Sequence, residues 1–312
     1  MKKWVIGFLV IAGLAIGCIY FFIPSTIVVS EAKNIKTFRA AVARFLTSKE
    51  KMGQCFNHIA VEKDSVFSYG GFNFSINKII YNGNVIRITA DGLDVTSNLI
   101  PLEVTKDSSS LHWVVEFPAA GNNPFNRIRQ YNTARRLKES MSGLLDVIKT
   151  YLENPVNMYG IEVKEIQLKD SLLISTRSSI NKEPDVNDVY QQIKKLRDYA
   201  LSNNATFTDS PMLHVQQNDA THFEFMVGLP INKPVPETND IKIKVMPYGG
   251  SMFTAAIKGG PEAIKNGIKQ LGIYKDDTKR TSPAIPFELL VTDRKAEPDT
   301  SKWITVLYYP VM

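Results

Sequence analysis

The sequence predicts an α+β chain in three parts. These are an N-terminal transmembrane helix, an antiparallel sheet domain closed by a long helix, and a duplicated β-α-β-β domain with pseudo-two-fold symmetry. Three observations predict it. Trp4 to Ile23 carries no charge over twenty residues. Four β-rich runs between Ser65 and Phe117 are separated by Gly70-Gly71, Asn82-Gly83-Asn84, Asp91-Gly92 and Asp107-Ser-Ser-Ser110. The strand Phe223-Glu-Phe-Met-Val-Gly-Leu-Pro230-Ile is echoed eighty residues later by Trp303-Ile-Thr-Val-Leu-Tyr-Tyr-Pro310-Val. Each copy follows a helix, and the two helices share the phrases Ile193-Lys-Lys-Leu196 and Ile268-Lys-Gln-Leu271. A repeat of this kind fixes the architecture and places a cleft where its halves meet.

A chain of 312 residues suits two globular domains, and 44% hydrophobic residues is ordinary for packed cores. The net charge of +6 is mild and gives no case for nucleic acid. Two cysteines, Cys18 and Cys55, and four histidines supply neither a disulfide framework nor a cysteine-based zinc site. There is no Gly-x-Ser-x-Gly elbow, no His-Glu-x-x-His and no phosphate loop, so no cofactor or metal is expected.

Twenty apolar residues in a helix match a bilayer core. Trp4 and Tyr20-Phe21-Phe22 fall where interfacial aromatics sit, and Pro24 ends the run. The expected segment is an uncleaved signal anchor over residues 1–23 in an inner (cytoplasmic) membrane. A cleaved signal peptide is the weaker reading, and lipidation at Cys18, after Ala15-Ile-Gly, is a third. Lys2-Lys3 before the span places the body outside the cytoplasm, although Lys33, Lys36 and Arg39 pull the other way.

Residues 24–155 form the first domain. Ile35, Phe38, Val42, Phe45 and Leu46 share one face of a helix over 34–47. The hairpin signals then give an antiparallel meander. Asn123 as N-cap and Pro124 in the first turn open a helix with Phe125, Ile128, Tyr131, Leu137, Met141, Leu144, Leu145, Ile148 and Leu152 at threes and fours, stopped by Asn154-Pro155. Its first half holds Arg127, Arg129, Arg135, Arg136 and Lys138. Such a run is either a solvated face or, beside a membrane, a contact for anionic lipid. Short helix, meander and long closing helix suit a sheet curled about an apolar hollow. This order resembles the helix-grip fold of the START/polyketide-cyclase (SRPBCC) superfamily, with Asn123-Pro-Phe-Asn-Arg-Ile-Arg129 as a supporting phrase. The family's Trp-rich stretch after the first helix is replaced by Met52-Gly-Gln-Cys-Phe56, so this domain reads first as scaffold.

Residues 156–312 form the second domain, with half-repeats 156–232 and 241–312. The first half is read as a strand over Ile161–Ser175, a helix over Asp185–Ser202, and strands over Met212–Gln217 and His222–Ile231. The second is read as Ile241–Lys258, helix Pro261–Leu271, then strands Phe287–Asp293 and Lys302–Val311. Pro247-Tyr-Gly-Gly250 marks a bulge or break. Alternation places Phe287, Leu289 and Val291 on one face and Glu288, Leu290 and Thr292 on the other. His214 and His222, on neighbouring strands, could face each other.

Gly260-Pro261-Glu262, Pro286-Phe-Glu288-Leu-Leu-Val-Thr-Asp293 and Trp303-Ile-Thr305-Val-Leu-Tyr-Tyr309-Pro-Val311 together resemble the GyrI-like effector-binding domain of bacterial transcription activators. The resemblance implies two half-repeats about a pseudo-two-fold axis and a central cleft for amphipathic or cationic small molecules; a few members hydrolyse theirs. It places Glu288 on the family's cleft glutamate. A carboxylate among apolar neighbours is costly to bury without a cation or donor, and a ligand cation would serve. Leu290 replaces the family's aromatic, Glu262 a frequent Tyr, and Val306 a frequent acid. Tyr248, Phe253, Trp303 and Tyr308 remain as candidate walls beside Leu290. The expected function is a membrane-anchored small-molecule sensor or sequestering protein without catalysis. The alternatives are a hydrolase of a small lipophilic substrate using Glu288, or a structural adaptor with a vestigial cleft.

Overall fold

The computed structural model describes residues 2–56, 61–62, 66–90, 92–118, 123–168, 171–246 and 249–312. The chain is mixed α+β with two curled antiparallel sheets. It divides into two units, Met1–Met158 and Tyr159–Met312.

The first unit opens with helix α1 (Lys2–Phe22), 21 residues and about 32 Å at 1.5 Å per residue. Among the described residues no helix is long and apolar enough to cross a membrane. The expected transmembrane span is therefore not shown by the structure. Most of the described side chains of α1 are apolar and exposed, Phe8 at 72% and Phe21 at 83%.

Next come β1 (Val28–Ile35), α2 (Arg39–Thr47), α3 (Lys49–Phe56), β2 (Val61–Glu62), β3 (Val66–Tyr69), β4 (Phe72–Ile80), β5 (Gly83–Ala90), β6 (Leu93–Thr105), β7 (Ser108–Glu116) and α4 (Pro124–Leu152). The sheet order is β1-β7-β6-β5-β4-β3-β2. The helix expected over 34–47 starts five residues late, because Ile35 pairs with Ser109 across β7. Helix α4 begins as its sequence dictates: the Asn123 side chain accepts from the Phe125 N–H at 2.9 Å, and Pro124 follows the cap. Its apolar stripe from Leu137 to Leu152 is buried. Phe56, Phe67, Phe74 and Trp113 form a continuous aromatic row with centroids 4.2, 5.5 and 5.6 Å apart. Trp113 is fully buried and its indole N–H donates to Ser97 Oγ at 2.8 Å. These rings are core, where the sequence suggested a hollow.

After a short helix α5 (Pro155–Tyr159), the second unit contains β8 (Lys164–Gln167), β9 (Ser171–Ile180), α6 (Val186–Ser202), β10 (Met212–Gln217), β11 (Phe223–Pro230), β12 (Lys242–Met246), β13 (Ser251–Lys258), α7 (Pro261–Asp277), β14 (Phe287–Leu290) and β15 (Ile304–Val311). The sheet order β12-β9-β11-β10-β14-β15-β13-β8 is a palindrome about the β10–β14 seam. The strand read as continuous over 161–175 is in fact broken, and the one over 241–258 divides between Met246 and Ser251, where the sequence marks a bulge or break. The first piece of each crosses to the opposite half: β8 pairs with β13, and β12 with β9. The breaks are stitched together, Leu168 N–H to Gly250 O at 2.8 Å and Gly249 N–H to Leu168 O at 3.0 Å. Alternation then sorts the sheet. Ile174, Leu213, Phe225, Val227, Leu229 and Leu290 pack with Val189, Ile193 and Leu196 of α6. Their neighbours, including Leu173, His214, Met226 and Phe287, belong to the face without helices.

Candidate functional site

The strand pair β10–β14 crosses the pseudo-two-fold seam, with Leu213 opposite Glu288 and Met212 opposite Leu289. Over this seam the first turns of α6 and α7 approach each other and leave a cavity of about 450 Å³, within the usual range for small-ligand sites. Apolar walls come from Val189, Leu213, Ile264 and Ile268, with Tyr190 and Trp303 at the sides. Both helix starts are built locally. Asp185 caps α6 in a reciprocal box, accepting from the Asp188 N–H at 2.9 Å while Asp188 accepts from the Asp185 N–H at 3.1 Å. The Lys182 ammonium beside it, together with the Asp188 N–H, holds the Asp185 carboxyl down at about 2. Gly260 and Pro261 open α7. Across the mouth, Glu183 and Lys265 form an ion pair at 2.9 Å, both about half exposed.

Glu288 lies in the floor, its side chain 12% exposed, and it already has a cation. Arg294 Nη2 donates to Glu288 Oε2 at 2.8 Å and to Thr305 Oγ1 at 2.9 Å. The same guanidinium lies 4.9 Å from the centre of the Trp303 ring. The sequence asks for a cation or donor beside this carboxylate and offers a ligand cation as one candidate; in the structure the chain's own Arg294 meets it. Arg294 reaches back because β14 ends early. After Leu290, the Asp293 carboxylate accepts from the N–H groups of Lys295 and Ala296 at 3.0 and 3.3 Å and turns the chain. Burial raises the Asp293 carboxyl, but those N–H groups and the Tyr190 hydroxyl outweigh it and keep it below its ordinary value. Tyr190 also accepts the Arg294 N–H at 2.6 Å, which ties α6 to the turn.

Of the residues proposed from sequence, Glu288 and Trp303 line this cavity. Trp303 is held by its indole N–H, which donates to the Glu297 carbonyl at 2.9 Å. Leu290 is instead core under α6. Phe253 is 2% exposed and meets Tyr274 of α7 edge-on at 4.9 Å. Tyr308 stacks on Phe287 at 5.0 Å, on the opposite side of the sheet from Glu288. Tyr248 lies outside the described residues. His214 pairs with Met226 rather than approaching His222, which precedes β11 beside the Asp219 turn. Sequence reasoning missed Arg294, Tyr190 and Ile264. The signal for Arg294 was an arginine just past an Asp-ended strand that carries a buried glutamate. Among the described residues no group of three or more His, Cys, Asp or Glu side chains is arranged to hold a metal ion.

No protein-family model and no curated protein matches the sequence. Solved structures do align with about half of the chain. The EcmrR C-terminal domain is 15% identical over 49% of this chain and 98% of its own, with a TM-score of 0.42. A hydrolase from Listeria innocua is 9% identical over 48% of this chain and 92% of its own, with a TM-score of 0.38. A transcription regulation protein from Staphylococcus aureus MU50 is 16% identical over 49% of this chain and 99% of its own, with a TM-score of 0.33. Similarity at this level assigns the chain to none of them.

The basic residues of α4 are largely engaged within the first unit. Arg127 donates to the Ile23 carbonyl at 3.0 Å and stacks 4.4 Å from the Tyr20 ring at the end of α1. Lys138 pairs with Glu31 at 3.5 Å and Arg135 with Glu139 at 3.6 Å. Arg136 lies 6.0 Å from the Phe72 ring.

Proposed function

We propose that this chain is a membrane-anchored, non-catalytic small-molecule-binding protein of GyrI-like type, whose ligand occupies the cavity between α6 and α7. One observation carries the reading. An apolar cavity of ligand size has a buried ion pair, Glu288–Arg294, as its polar floor. A pair that is electrically balanced costs less to bury than a lone carboxylate, and it can accept either end of an amphipathic ligand. A lipophilic cation replaces Arg294 against Glu288. Trp303 and Tyr190 supply flat walls for its apolar body. The Glu183–Lys265 pair is the mouth's closure; being exposed, it yields at little cost.

The anchor is α1. Its charge-free run from Trp4 onward and its outward apolar side chains support insertion into a bilayer, with the body outside the cytoplasm. Exposed Arg129, Arg135, Arg136 and Lys138, with Arg127 against the end of α1, support contact with anionic headgroups. The first unit, with its strand, two short helices, meander and long helix, serves as an SRPBCC-like scaffold.

The test is calorimetric titration of the full-length protein, in nanodiscs, with tetraphenylphosphonium and other lipophilic cations. Saturable binding that weakens in Glu288→Gln is expected. Binding of every cation tested at unchanged affinity in Glu288→Gln removes the assigned site. Extraction of the protein from membranes by alkaline carbonate would remove the anchor.

A further inference from the structure

We propose that the helix-free face of the second unit carries a separate site for a single-chain anionic amphiphile, of which a long-chain carboxylate is the simplest. A second cavity of about 660 Å³ opens there, on the side of the sheet opposite α6 and α7. All five methionines of this unit line it: Met212, Met226, Met246, Met252 and Met312. They come from four strands and the C-terminus, brought together because each occupies an outward position of the alternation. Unbranched, polarizable thioethers adapt to a flexible alkyl chain better than to a rigid ring. Gly228 keeps the floor low; a Cβ there would stand 3.1 Å from Leu173 Cδ1 and 3.6 Å from Met212 Cβ.

Two polar side chains, Lys244 and His214, line this apolar trough with hydrogen-bonding capacity unmet. The Lys244 ammonium, on edge strand β12, has Met226 Sδ as its hydrogen-bond partner at 3.1 Å, and among the described residues it enters no ion pair. A thioether is a weak acceptor for an ammonium, so an anionic headgroup is the better partner. His214 stands on the wall shared with the first cavity. Its Nδ1 is 2.8 Å from the Pro286 carbonyl, which can only accept, so Nδ1 carries the proton. Nε2 is buried and has no hydrogen-bond partner among the described residues. An apolar trough with a cation outside any ion pair at one end has the chemistry of an anionic amphiphile site. Its charge preference is opposite to that of the Glu288 cleft, and it does not depend on the cleft reading.

The chain carries its own reporters. Full-length protein labelled with 13C at the methionine methyls, in nanodiscs of zwitterionic lipid, is titrated with laurate and separately with dodecyltrimethylammonium. Laurate is expected to shift the five cavity methyls saturably and to leave Met52, Met141 and Met158 of the first unit unmoved. Lys244→Glu, an exposed change, is expected to weaken laurate by about tenfold and to leave dodecyltrimethylammonium no weaker. Gly228→Val, which narrows the floor, is expected to weaken both. Glu288→Gln is expected to leave laurate binding unchanged, which separates this site from the cleft. The proposal is overturned if millimolar laurate moves none of the five methyls. It is equally overturned if the cationic amphiphile binds as tightly as laurate, or if Lys244→Glu binds laurate normally.

Discussion

Replacing Arg294 by Met removes the guanidinium and keeps most of the stem. At 2.8 Å the pair's gross attraction is about 6 kcal/mol with an effective dielectric near 20. Desolvation of two side chains that are 10% and 12% exposed offsets much of it in the intact protein. The variant loses the attraction and leaves the carboxylate desolvated. It also removes the bond to Thr305 and the contact with Trp303. Breaking a buried pair from one side costs about 3–5 kcal/mol. Glu288 borders a cavity that water can enter, so the low end applies, about 3 kcal/mol. For a unit of this size that lowers the melting temperature by about 6–12 °C. The double variant Arg294→Met, Glu288→Leu removes both charges and is expected to recover all but about 1 kcal/mol. Hydrogen exchange of second-unit peptides in urea reads this unit's unfolding separately. A single variant as stable as the parent, or a double variant no better than the single, would refute the view that the pair is a coupled buried unit.

Other outcomes follow from the same geometry. Gly70 sits at φ +61° in the β3–β4 turn, and a Cβ there would meet Ser140 Oγ at 2.0 Å, so Gly70→Ala should cost about 2 kcal/mol in urea unfolding of the first unit. The Cys55 thiol is 3% exposed and pushed up to about 12 by burial; it should resist iodoacetamide at pH 8 in the native protein and react once urea unfolds it. Asp185 is depressed from 3.8 to about 2, so its contribution is present above pH 4 and is lost as pH falls from about 4 to 2. Asp185→Asn should therefore flatten the acid limb of the second unit's stability profile, measured by urea midpoint at pH 5 and pH 2.5.

Long periodic or capped elements were legible in the sequence. Asn123-Pro124 fixes the start of α4 because a side-chain acceptor and a residue lacking N–H suit a helix entry. The paired helices and the face assignment of Glu288 followed from periods of 3.6 and 2. Strand β1 was not legible: only Val29 and Ile35 of Val28–Ile35 are buried, the charged Glu31 and Lys33 share their face half-buried, and the pairing with β7 bridges more than seventy residues. The crossing of β8 and β12 was likewise hidden, since partner choice is not written in local pattern. For the site, the acid was readable and its partner was not, because Arg294 arrives through a turn set by Asp293 side-chain bonds. Phe253 and Tyr308 looked like walls because aromatics at strand spacing do not announce which layer they fill.

The exchange of β8 and β12 bears on how this domain can be taken apart. Cleaving the polypeptide in the 232–240 loop does not free two autonomous modules, since each fragment surrenders a border strand to its sibling. Co-expressed, the fragments should reassemble as a non-covalent heterodimer on a sizing column. Expressed alone, each should borrow the missing border from a copy of itself, because the pseudo-equivalent donor has the same geometry. Each half is thus complete only with an arm lent by the other.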